Sequence, residues 1–166
     1  MRNWTILREQ STTLRAALAD LIADEEDRAD IIPATWNNNL RWHVGHLITS
    51  PLVLTWGLMG EPLPIPPRYR EWFGRGSSPR GWGDAEIPPF TSLVQHMGEV
   101  IPALFDAFDG RAGQAFPKPY TTTVGIMLRT PVDALHFSMV HDGMHYGMIE
   151  ALKRSLNAES GGHRAG

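Results

Sequence analysis

The sequence predicts an all-α protein, a four-helix bundle with a long loop between its second and third helices. Three observations carry this. Four segments repeat apolar residues at three- and four-residue spacings, the mark of helices that bury one face. Turn-forming residues concentrate in residues 60–89, which hold seven of the thirteen prolines and five glycines. Histidines gather inside two of the four segments, in RWHVGHL and HDGMH.

The first helix is expected from about Trp4 to Ala23, with Ile6, Leu7, Leu14, Leu18, Leu21 and Ile22 as its inner face. The acidic run Asp24, Glu25, Glu26 and Asp27 that follows reads as a solvated turn. The second helix begins after Pro33, with Asn37 or Asn38 as its cap, and extends to about Met59. Pro51 falls inside it and predicts a kink, because proline removes a backbone hydrogen bond. Residues 60–89 break helical rules throughout, yet they carry Tyr69, Trp72, Phe73 and Trp82. Disordered segments are poor in aromatics, so an ordered loop packed by its own rings is expected.

The third helix runs from about Thr91 to Phe108, with Leu93, Val94, Met97, Val100, Ile101, Leu104, Phe105 and Phe108 inward and Pro102 as an irregularity. The β-branched stretch TTTVGIML predicts a short hairpin or extended arm. The fourth helix opens on Thr130, Pro131 and Asp133, a cap, a first-turn proline and a reciprocal carboxylate. It is expected to reach Leu156, with Lys153 and Arg154 facing its negative end and Asn157 stopping it. Residues 1–157 thus form one domain, and 158–166 a flexible tail that contains His163.

Composition narrows the function. The 166 residues can bury a core without staples. No cysteine is present, which excludes disulfides, thiolate metal sites and a cysteine nucleophile. A net charge of −3, with the basic residues scattered, speaks against nucleic acid. No apolar run approaches the roughly 20 residues of a membrane span, and the N-terminus lacks a secretory pattern. A cytoplasmic protein with no membrane partner is expected.

His141 and His145 lie four apart in the clearest helix. Four residues advance it by about 400°, so both rings leave one face. Two imidazoles placed so can meet one metal ion. The residue after His141 is Asp142, not Glu, so the general base of an HExxH metalloprotease is missing. On its own the pair fits a wet helix edge equally well. His43 and His46 lie three apart amid Leu40, Trp42, Val44, Leu47 and Ile48. At least one must enter an apolar interior, where its ring nitrogens need a partner. A metal and a backbone carbonyl both qualify. Gly45, Gly143 and Gly147 each cost about 1 kcal/mol inside a helix, which tight packing or room for a ligand would explain.

WNNNLRWHVGHLITS and HFSMVHDGMHYGMIEALKR resemble the two signature helices of the DinB-like superfamily. The prolyl stretch EPLPIPPRYREWFGRGSSPRGW is similar too, and the resemblance covers residues 5–157. It implies an up-down-down-up bundle, often a homodimer. It also implies a divalent metal held by one histidine of the second helix and a spaced pair on the fourth. Carried over, the ligands are His46, His141 and His145, with His43 a neighbour. The position after HYG, often glutamine in that family, is Met148 here.

Three neutral imidazoles leave coordination positions open, as in catalytic sites. Zinc or nickel is the expected ion, iron or manganese the alternative, since imidazole suits them all. A water or a substrate thiol could occupy the open position. The resemblance implies a low-molecular-weight thiol cosubstrate, because relatives include S-transferases using bacillithiol or mycothiol and the maleylpyruvate isomerase group. A metal-dependent hydrolase is the neighbouring expectation, and a noncatalytic or stress-associated protein with a structural or vestigial site is the alternative. His43, Asp142, Asn39 and His136 are candidate groups around the ligands. His136 lies about 140° from His141 around the helix, too far to share the ion. His96 could face the pocket from the third helix, and Tyr69 and Trp72 could line its mouth.

Overall fold

A computed structural model describes residues 2–162. The chain is 63% helical. Helix α1 spans Arg2–Leu21, α2 Leu40–Leu52, α3 Arg68–Phe73, α4 Phe90–Ala107 and α5 Pro131–Gly162. Strands β1, Tyr120–Thr121, and β2, Met127–Leu128, make a hairpin, one of the two forms expected for this stretch, pairing Tyr120 with Leu128 and Thr121 with Met127. Helices α1 and α2 each pack against both α4 and α5, so the four long helices close a ring in the order α1, α4, α2, α5.

The buried stripe of α1 differs from the expected one. Leu7, Leu18 and Ile22 are buried, but Ile6 is 42% exposed, and Ser11 and Arg15 take the inner positions between them. Arg15 is tolerated there because Asp142 of α5 faces it. Its Nε and Nη2 donate to the two carboxylate oxygens at 2.6 and 2.9 Å. Burial of both charges is sustainable only with this bidentate pairing.

The acidic run after α1 is not wholly solvated. Glu26–Arg28 forms a 3₁₀ turn, and Glu25 is buried, held by Arg28 and by Lys153 of α5 at 3.1 Å. Lys153 also donates to the Leu21 carbonyl. It therefore caps α1 rather than its own helix, as helix C-terminal carbonyls require. Helix α5 does not stop at Asn157. Arg28 donates to the Asn157 side chain at 2.6 Å and the Ala34 amide donates to Glu159 at 3.0 Å, and these contacts carry the helix on to Gly162. His163 lies outside the described residues.

The cap of α2 is Asn39, one residue later than expected. Its side chain accepts from the Trp42 amide at 2.8 Å and donates to the Asp30 carbonyl. The irregularity at Pro51 takes the form of a π-turn over Val53–Gly57, a wide turn of the kind that absorbs a broken ladder. At the start of α5 the Thr130 and Asp133 cap is present: Asp133 accepts from two backbone amides, and Thr130 accepts from the Asp133 amide.

The long connection is ordered but not helix-free. Helix α3 begins directly after Pro66 and Pro67, where proline's missing donor costs nothing. It brings Tyr69, Trp72 and Phe73 to one side. Phe73 is fully buried, with Tyr69 and Trp82 edge-on to its ring. It packs directly on α2, where a Cβ at Gly45 would lie 2.2 Å from its ring. Gly143 and Gly147 have no such neighbour.

Candidate metal centre

Helices α2 and α5 face each other through four histidines. On α2 the i,i+4 spacing puts Trp42 over His46, and their rings stack at 4.7 Å with planes 10° apart. The Phe73 carbonyl lies 2.7 Å from His46 Nδ1. A carbonyl only accepts, so Nδ1 carries the proton and Nε2 presents its lone pair. That lone pair points at His141 Nε2, 3.2 Å away. Two imidazole nitrogens this close need a proton or a cation between them.

His145 lies one turn beyond His141, with ring centroids 4.4 Å apart. One nitrogen from each of His46, His141 and His145 falls within 4.8 Å of the other two. The structure thus brings together the three histidines named from the sequence, with a donor set and spacing that fit a single divalent ion.

His43 stands behind this triad. Its Nδ1 lies 2.9 Å from His145 Nδ1, and its Nε2 is buried without a partner among the described residues. With Nδ1 engaged, His145 has Nε2 left to turn toward an ion.

Electrostatics favour the same use. Burial pushes His141 down to about 3, helped by the neighbouring histidines and Arg15, and pushes His43 down to about 4, helped by His46. Burial lowers His145 as well, with the other three imidazoles and Arg15 adding to it. His46 is lowered by burial against the opposing bond to Phe73. At neutral pH all four are uncharged, the form a metal needs.

The triad forms part of the wall of an open cleft of about 260 Å³. Phe137, Leu54 and Met144 give it apolar walls, the hairpin contributes Tyr120 and Thr122, and the turn after α3 contributes Arg75. Met148, at the position often held by glutamine, also lines it and is 43% exposed.

The other sequence candidates lie elsewhere. Asp142 reaches no histidine nitrogen, since both its oxygens go to Arg15. Burial pushes its carboxyl upward against the pull of that guanidinium. Asn39 is spent on the α2 cap. His136 is exposed. His96 is half-buried beside Tyr69, in a separate cleft with Trp56 and Glu99. Tyr69 and Trp72 pack against the bundle instead of lining the mouth. Gly74 and Arg75, immediately beyond them, do line it.

A family model described as the DinB superfamily matches residues 6–149. The chain belongs to the DinB superfamily. The DinB match spans most of the chain and includes His46, His141 and His145 together with the Arg15–Asp142 pair. A search of curated proteins gave no match. Among the described residues of this DinB protein, no helix is long and apolar enough to cross a membrane.

Proposed function

We propose that the protein is a divalent-metal-dependent enzyme that joins a low-molecular-weight thiol to a small electrophile. The observation that carries this reading is the convergence of three neutral imidazoles on the wall of an open cleft. When bound, zinc or nickel would supply Lewis acidity that favours a deprotonated nucleophile near neutral pH. Phe73 fixes the tautomer of His46, and His43 is placed to fix that of His145, the usual way a protein orients imidazole ligands.

The cleft lining favours a thiol over water. No Asp or Glu is among the described residues that line the cleft, so no carboxylate among them stands ready as a general base for hydrolysis. A thiol ionises with a pKa of about 8.5 and needs far less help. In the transfer, sulfur bonds to the electrophilic carbon, the thiol proton passes to solvent, and any leaving group departs with its electron pair.

The deep burial of His43 and His145 also suits a noncatalytic site. Val140, Met144 and Met148 are exposed along α5, and Val124, Ile126 and Met127 along the hairpin. These apolar surfaces support the proposal that the protein works as a homodimer.

Elemental analysis of the purified protein beside His46→Ala, His141→Ala and His145→Ala tests the site. The expected result is about one ion per wild-type chain and loss in each variant; full retention in all three would refute it. A panel of thiols against model electrophiles then separates transferase from noncatalytic binder.

A further inference from the structure

Among the described residues that line the cleft one side chain is charged, and it is a cation. Arg75 lines the opening, is exposed, and makes no ion pair or hydrogen bond among the described residues. Arg15, Arg41 and Arg111 are paired with Asp142, Asp30 and Glu61, and Arg68, Arg70 and Arg129 are not among the residues that line the cleft.

The turn that carries Arg75 is built and anchored on both sides. Before it, the Phe73 ring is seated against Gly45 and the Phe73 carbonyl accepts from His46 Nδ1. The Gly74 amide donates to the Arg70 carbonyl at 3.0 Å. After it, the Ser77 hydroxyl meets the Trp72 and Gly74 carbonyls at 2.8 Å and accepts from Trp42 Nε1 at 2.8 Å. Trp42 in turn stacks on His46. The backbone of Arg75 is therefore held in register with a metal-site histidine, two residues from the carbonyl that orients it.

We propose that Arg75 is the residue that recognises the substrate, and that the substrate class is a small carboxylate with an apolar body. The proposal rests on the enzymatic reading of the cleft given above. A guanidinium offers a planar pair of donors that matches a carboxylate. Val53, Leu54, Phe137 and Met144 offer the apolar wall for the rest of the molecule. With the acid group at Arg75, the body of the substrate extends along the wall that holds the histidines. The absence of any acidic side chain among the described lining residues keeps the approach free of repulsion.

Calorimetric titration of zinc-loaded protein with benzoate, benzamide and inorganic phosphate provides the test. Zinc content and thermal unfolding are measured on the same samples. Benzoate is expected to bind at least about tenfold more tightly than the neutral isostere benzamide, the usual scale for a charge-assisted bond. Arg75→Ala should abolish that preference without changing zinc content or the unfolding temperature, and Arg75→Lys should keep part of it. Undiminished benzoate binding by Arg75→Ala would overturn the proposal, since the acid would then be held elsewhere. So would equal binding of benzoate and benzamide by the wild type, or an Arg75-dependent preference for phosphate over benzoate. If the wild type holds no zinc yet keeps an Arg75-dependent preference for benzoate, the metal reading fails and the recognition role of Arg75 stands.

Discussion

His43 Nδ1 and His145 Nδ1 lie 2.9 Å apart, so one proton is shared between two ring nitrogens. If His145 binds an ion through Nε2, that proton must sit on its own Nδ1, and His43 must accept. His43→Ala removes the acceptor. Zinc affinity should fall by about 10- to 100-fold, the range for loss of such an orienting partner. His43→Asn, whose carbonyl oxygen can accept in the same place, should recover part of it. Competition with a chromophoric chelator measures both, and unchanged affinity in His43→Ala would remove His43 from the site.

Acid should destabilise the metal-free protein through its histidines. His43 and His141 hold their protons with values of about 4 and about 3 in the fold, against about 6.5 in an unfolded chain. Below pH 6.5 the unfolded state therefore binds more protons, and stability falls as pH falls toward the folded-state values. Each such group steepens the slope by up to about 1.4 kcal/mol per pH unit. Above pH 7 these groups contribute no pH dependence. Urea unfolding at pH 8, 7, 6 and 5 should show a flat region and then a decline that is shallower in His141→Ala.

Glycine positions on the two site helices should respond in opposite senses. Gly45→Ala drives a methyl group to 2.2 Å from the Phe73 ring, and overpacking of this kind costs about 1–3 kcal/mol. Gly143→Ala and Gly147→Ala meet nothing within 4 Å. Each should gain about 0.5–1 kcal/mol from helix propensity. Chemical denaturation of the three variants checks the contrast.

The Arg15–Asp142 pair should behave as a structural unit. Asp142→Ala strands a guanidinium that is 1% exposed, a loss of about 3–5 kcal/mol. Replacing both partners, Arg15→Met with Asp142→Leu, should restore most of that stability while leaving zinc stoichiometry intact. A double variant no more stable than Asp142→Ala would show that the pair does more than satisfy itself.

The helices were legible because their apolar period is strong, and His141 and His145 because four residues return a helix to the same face. Periodicity left His43 and His46 open, and the resemblance to the DinB-like superfamily favoured His46. The physical reason, hidden from the sequence, is the Phe73 carbonyl that fixes the His46 tautomer from 27 positions away. Arg15 left a faint trace: with Ser11, it is a polar residue on the stripe that buries Leu7, Leu18 and Ile22. Arg75 left none, because an arginine in a glycine-rich turn reads as surface until the fold shows what it overlooks. Helix α3 was hidden by the prolines around it, and the continuation of α5 past Asn157 by its dependence on Arg28 and Ala34.

The three clustered histidines stand on α2 and α5, whereas Arg75, Tyr120 and Thr122 come from the two connections between helices. Outside the Phe73 carbonyl that meets His46 and the Ser77 hydroxyl that meets Trp42, those connections can change while the histidines stay on their helices. Divergence within such a scaffold has a cheap route to new chemistry: keep the ion, re-address the loops. A swap of residues 74–76, with Ser77 kept, or of the 120–128 hairpin between relatives is accordingly the smallest graft that should transfer substrate preference from one bundle to another.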